Sequence, residues 1–302
     1  PCSDYGWLKR TLFAVKSGLT VICTVSTSSK EAYSELTSIA GEVDWGMLNG
    51  GNMTTTAQIL LESLTPGTMW SMMNLLLSLY GIDVDDTIVQ AISTSGRVND
   101  LLHLRVLLIG LRLLGYRVHK GPKQRQLLVE HFLKSTAAPD LFVVIVRELK
   151  SSLPVLVDIL LLISLSTRGM REGELLYMLG CSYDILRDHR NIVLDELLVN
   201  FFGINDFQCT SIKLALRDDY LANRSFWDAG QEVSYLDRMF DFFTNHAPER
   251  RRVCELPNVV CMLGQTEPLF NLLSNSNMCS LMVDIDVKHM MTRYLEGMQL
   301  SA

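Results

Sequence analysis

The sequence predicts a mainly α-helical chain, on three observations. Leu and Met supply much of a hydrophobic content of 48%, and both favour helix. From Ile59 onward apolar residues recur at helical spacing in one segment after another, with Gly and Pro as punctuation. Only one run, Leu19 to Val25 (LTVICTV), has the length and β-branched content of a strand buried in a parallel sheet.

Taken in order, Tyr5 to Phe13 reads as helix, and Gly18 releases the chain into the strand. The strand ends in the polar Ser26-Thr27-Ser28-Ser29, at the edge where ligands sit in open α/β sheets. An ordinary strand-ending loop is an equally good reading of those four residues. Most of any such sheet is expected upstream of Pro1, and the chain reads as a fragment of something longer. Residues 41–56, rich in Gly, Asn and Thr, read as a connector. Ile59 to Tyr80 returns to helix, with Thr65 as N-cap, Pro66 in the first turn and Gly81 as terminator. Further helices are expected over Asp83 to Ile92, Leu101 to Leu114 (ended by Gly115), Gln124 to Leu133 and Ala137 to Lys150.

The stretch from Leu153 to Gly180 is the most informative. It reads as an apolar helix with Pro154 in its first turn, a turn containing Thr167-Arg168-Gly169, and an amphipathic helix with Glu172 and Glu174 near its start. Downstream, LLVNFFGINDFQCTSI offers two β-prone runs separated by Gly203-Ile204-Asn205-Asp206. Helix–turn–helix followed by a hairpin is the order of a winged-helix unit. Helices over Lys213 to Asn223 and Val233 to Phe243 follow, then short helical units from Cys254 to Gly264 and from Pro268 to Leu273, and a last helix from Asp286 to Met298. The four tryptophans and the Met residues at helical spacing are assigned to the core.

Composition narrows the function classes. A net charge of −6 argues against nucleic acid and anionic membrane surfaces as partners. The one dense basic cluster, Arg250-Arg251-Arg252, reads as a solvated helix start. The seven cysteines show no CxxC and no His at ligand spacing, which suits free, mostly buried thiols in a reducing compartment. No apolar stretch reaches the roughly 20 residues that span a bilayer; Leu153 to Leu165 is short and contains Asp158. A mean hydropathy of +0.19 fits apolar faces that pack on further sequence. No GxxxxGK[ST], GxSxG, HExxH or GxGxxG motif occurs. The paired carboxylates Asp83/Asp85/Asp86, Asp218/Asp219 and Asp284/Asp286 read as helix starts or exposed turns.

The order of these elements resembles the second half of NACHT-type signal-transduction ATPases (the STAND class) of the nephrocystin and telomerase-associated-protein kind. Gly18 to Thr27 resembles the sensor strand, whose polar end faces the nucleotide γ-phosphate. Leu61 to Gly81 resembles the opening helices of the helical domain, and Asn99 to Arg112 (NDLLHLRVLLIGLR) that family's NPLYLKVLLEELR helix. Ile163 to Leu176, with Leu216-Arg217-Asp218, resembles the winged-helix domain, and Tyr235 to Leu273 the helical extension. The resemblance implies a mainly α fold: the remnant of an α/β NTPase sheet, then a helical domain, a winged helix and a repeat-like helical extension. The implied domains are 1–56, 57–150, 151–224 and 225–302.

The phosphate-binding loop and the acidic magnesium strand of the family have no counterpart here. Leu101 stands where the family has its adenine-touching proline, and Lys213 where it has the histidine that reads the β-phosphate. A lysine meets phosphate as a point charge; a solvated helix residue is the alternative. Ser26, Thr27 and Lys213 are therefore the nucleotide-facing candidates, and no catalytic or metal-binding residue is expected. The resemblance implies a non-catalytic regulatory or scaffolding fragment without a cofactor of its own. ATP or ADP with magnesium belongs to the intact parent, a slow or degenerate NTPase with tetratricopeptide or WD repeats. Expected partners are proteins, the upstream nucleotide-binding domain of the same chain, and further copies through the parent, with no DNA and no membrane span. The expected location is cytoplasmic, at a cilium or in a ribonucleoprotein particle. The alternative is a purely structural helical scaffold without nucleotide control. A winged-helix DNA reader is disfavoured because Glu172 to Leu179 carries two acids and no base.

Overall fold

The computed structural model describes residues 66–275, except 80–81, 83–85, 96–97, 99–100, 119–120, 190–196 and 202, together with Ser280. The chain divides between Glu62 and Ser63, and the described residues all belong to the second unit, Ser63–Ala302. The expected helix at Tyr5, the strand Leu19 to Val25, the connector and the helix from Asp286 lie outside the described residues. What is described is mainly helical, with one small three-stranded antiparallel sheet.

Five helices come first: α1 (Pro66–Ser78), α2 (Asp86–Thr94), α3 (Leu101–Gly110), α4 (Pro122–Phe132) and α5 (Ala138–Leu149). Proline stands at or next to the first helical position of α4 and α5, where its missing N–H has no helical partner to lose. Gly115 does not end the third helix as its sequence suggests. The chain continues through Leu111–Val118 in the wider π-helical form, because Leu111, Leu113 and Leu114 are all buried and packing outweighs the glycine. Trp70 also departs from expectation. It is 50% exposed, while Met69, Met73 and Leu77 form the buried stripe of α1.

Helix α6 (Pro154–Leu165) is the most thoroughly buried of the described helices' long apolar runs, with nine buried residues. From Ile159 to Leu165 every residue is buried, as befits a helix covered on all sides. It lies against α5, against the sheet and against three later helices described next. Strand β1 (Met170–Arg171) follows, then α7 (Glu172–Leu179) and α8 (Tyr183–His189). The expected hairpin is present as β2 (Leu198–Phe201) and β3 (Ile204–Phe207), with strand order β1-β3-β2. Its turn lies earlier than the sequence suggests. Gly203, at φ 79°, supplies the left-handed step, so Ile204, Asn205 and Asp206 belong to β3, with Ile204 paired to Phe201. The two-residue β1, too short for a pattern to announce, pairs Met170 with Asn205 and Arg171 with Ile204.

Helices α9 (Thr210–Ala222) and α10 (Arg224–Trp227) return the chain to α5 and α6. Asp219 is neither at a helix start nor in an exposed turn. It sits near the end of α9, where an acid opposes the helix dipole, and Arg147 of α5 compensates with two hydrogen bonds. The same carboxylate accepts from Trp227 Nε1 at 3.0 Å and from Asn223. Helices α11 (Tyr235–Asn245), α12 (Glu249–Leu263) and α13 (Thr266–Leu273) complete the described chain. The unit expected from Cys254 to Gly264 is instead the second half of α12, whereas the one expected from Pro268 to Leu273 is present within α13. Pro257 lies inside α12, and the helix runs through it because Val253, Leu256, Val259 and Val260 bury a continuous face. Both α7 and α11 pack on α6, and α11 carries α12 beside it.

Candidate functional site

The polar heart of the structure is the turn 166–169 between α6 and β1. Gly169 makes the turn: its φ is 73°, and a Cβ there would lie 2.3 Å from the Asn205 carbonyl oxygen of β3. Asn205, itself buried, donates its side-chain amide to the Met170 carbonyl at 3.4 Å. The turn is thus shaped by the sheet before any charged group reaches it.

Three charged side chains then close on the turn. Arg251 of α12 is only 5% exposed. It donates to both oxygens of Glu174 (Nε and Nη2, 2.8 Å each), to Glu255 Oε1 (3.1 Å) and to the Gly169 carbonyl (2.8 Å). Glu174 also accepts from the Arg171 amide at 2.8 Å. Glu255, at 0% exposed, accepts from the Thr167 amide at 2.6 Å and the Arg168 amide at 3.0 Å. Burial by itself would depress the Arg251 guanidinium; Glu174 and Glu255 outweigh it and hold the group above the usual arginine value. Complete burial raises the Glu255 carboxyl, opposed by Arg251, the two amides and Lys213. Asn258 adds a 3.1 Å bond to the Leu165 carbonyl.

Lys213 of α9 lies beside this set. It is 8% exposed, so the solvated-lysine alternative does not hold. Its Nζ donates to Asp206 Oδ1 at 2.7 Å and to the Thr167 carbonyl at 3.3 Å. Ser26 and Thr27, the other nucleotide-facing candidates, lie outside the described residues. The Arg250-Arg251-Arg252 cluster is not a solvated helix start as a whole. Arg250 is exposed, Arg251 is buried, and Arg252 donates to the Phe243 carbonyl. Sequence reasoning missed Arg251, Glu174 and Glu255 because their meeting depends on a separation of 77 residues between Glu174 and Arg251. The spacing of Arg251 and Glu255 by four on one helix was the one local signal.

Chemically, each carboxylate oxygen of Glu174 and Glu255 is engaged by at least one donor, so the set fixes backbone instead of presenting a free acid or base. A second buried group joins α6 to α11: Tyr235 donates to Asp158, whose carboxyl burial holds above the usual aspartate value. At the start of α9, burial raises the Cys209 thiol, but the Ser211 hydroxyl and the Ser211 and Ile212 amides outweigh it and hold the thiol below the usual cysteine value. Cys181, Cys209, Cys254 and Cys261 are free thiols. Among the described residues no three His, Cys, Asp or Glu side chains gather as a metal site, and no helix is long and apolar enough to cross a membrane. Compared with protein-family models, curated proteins and solved structures, the chain matches none of them.

Proposed function

We propose that this chain is the regulatory and scaffolding part of a NACHT-type STAND ATPase, non-catalytic as it stands, which couples nucleotide state to contacts with protein partners. One observation carries the reading. The unit 154–207 runs helix, strand, helix, helix, hairpin, with strand order β1-β3-β2, which supports a winged helix set between two helical blocks. In this reading α8, and not α7 as expected from the sequence, is the helix with the reading surface. It carries Asp184 and Asp188, and Arg187 is paired with Asp184 at 3.3 Å, a charge pattern suited to protein and not to phosphate backbones. In this reading 57–150 is the helical domain and 225–302 the repeat-like extension. Ser26 and Thr27 face the nucleotide of the intact, cytoplasmic parent, and Lys213 meets its phosphate once released from Asp206. The switch is a two-state element whose closed and open forms contact nucleotide differently.

A second reading, a structural scaffold without nucleotide control, is favoured by the engagement of Lys213 with Asp206 and the Thr167 carbonyl. Sequencing the transcript upstream of Pro1 separates the two. A Gly-rich loop ending in Gly-Lys-Ser/Thr, followed by an acidic strand and by ADP binding in the encoded protein, is the expected result. An upstream region without that loop leaves the scaffold and removes ATP from the account.

A further inference from the structure

We propose that the turn Thr167–Gly169, together with Arg251, is a carboxylate receptor, and that Glu255 is its intramolecular ligand. Two successive backbone N–H groups, of Thr167 and Arg168, converge on one side-chain carboxylate at 2.6 and 3.0 Å. Consecutive amides followed by a left-handed residue, here Gly169 at φ 73°, form the concave nest that binds anions elsewhere. Arg251 adds a third donor at 3.1 Å, and Lys213 places a further positive charge on the carbonyl of the same turn. Carboxylate is the fitting class because its oxygens accept from several directions at once.

The receptor is shaped without its ligand. Gly169 is held by its close approach to Asn205, Met170 by strand pairing, and Thr167 by Lys213. Arg251 is fixed by its paired bonds to Glu174 and by the Gly169 carbonyl. None of these contacts involves Glu255. Removing that one side chain therefore leaves a buried space bounded by three oriented donors, which a small carboxylate can enter. Glu255 then helps to seat α12 on the sheet-bearing unit as a bound ligand would, from within the same chain. The receptor does not depend on nucleotide binding by the parent protein.

The test is chemical rescue of Glu255→Ala in the full chain, followed by thermal unfolding with increasing sodium formate against sodium chloride at matched ionic strength. The expected result is a lowered Tm that formate, and not chloride, restores in a saturable manner, while wild type does not respond to formate. Equal formate shifts in both proteins, or an unchanged Tm in the variant, would overturn the proposal. Should Glu255→Ala fail to fold, Glu255→Gln decides. Its amide group offers one acceptor oxygen, so the Thr167 or Arg168 amide is expected to exchange hydrogen at least roughly tenfold faster, with Leu160 to Leu162 unchanged. Unaltered exchange at both amides would show that the carboxylate is not their ligand.

Discussion

Arg251 shows how much a single side chain can carry when its donors are all committed. Its guanidinium spans Glu174, Glu255 and the Gly169 carbonyl at once, a reach that depends on the planar fork of arginine. Replacing it removes the guanidinium that the two buried carboxylates share. Arg251→Met is therefore expected to lose about 3–5 kcal/mol of stability, read as a lower midpoint in urea unfolding. Arg251→Lys should also lose stability, because an ammonium has three donors for the four acceptor oxygens that Arg251 meets. A lysine variant with the wild-type midpoint would show that charge alone suffices. Glu255 tolerates complete burial because three donors meet it, two of them backbone amides.

Among the elements, α6 sets the terms for its neighbours. Its buried residues include Leu156, Ile159, Leu160, Leu161, Leu162 and Ile163, each worth about 1.5–3 kcal/mol of burial, and the helix is central because no face of it is polar enough to meet water. Asp158 is the exception, and α11 covers it with Tyr235. Arg238 and Lys150 also face the carboxyl and partly offset the burial that raises its pKa above 3.8. A raised carboxyl pKa means that the native chain holds a proton the unfolded chain has released. Stability from this group is therefore present at low pH and falls as pH rises through the interval above 3.8. Asp158→Asn keeps an acceptor for Tyr235 and removes the titration. Its Tm relative to wild type should rise as pH rises above 3.8; a difference that does not vary with pH would refute the shift.

Over the molecule as a whole, charge decides between partner classes. A net −6, the carboxylates Asp184 and Asp188 of α8 and the burial of Arg251 inside its own basic cluster weigh against a polyanionic partner. Fluorescence anisotropy with duplex DNA at low salt should stay flat over a micromolar range. A salt-dependent rise would revive a nucleic-acid reading. Exposed apolar side chains such as Trp70, Leu79 and Phe270 point the same way, toward apolar contacts.

By itself the sequence determined what periodicity and punctuation can encode. The helix entry at Pro66, the helices over Gln124 to Leu133 and Ala137 to Lys150, the helix with Pro154 in its first turn, the turn at Gly169, the acidic start of α7 and the presence of a hairpin near Gly203 all follow from local preferences acting within a few residues. Tertiary structure decided the rest, for reasons that are not local. Leu111 to Val118 stays helical past Gly115, and α12 runs through Pro257, because buried faces outweigh breakers. Asp219 sits against a helix dipole because Arg147 meets it from α5. The receptor at 167–169 could not be read in advance, since Thr167 and Glu255 are 88 residues apart and only packing of α12 beside the turn brings a buried carboxylate to two amides whose sequence, Ser-Thr-Arg-Gly, announces nothing more than a turn.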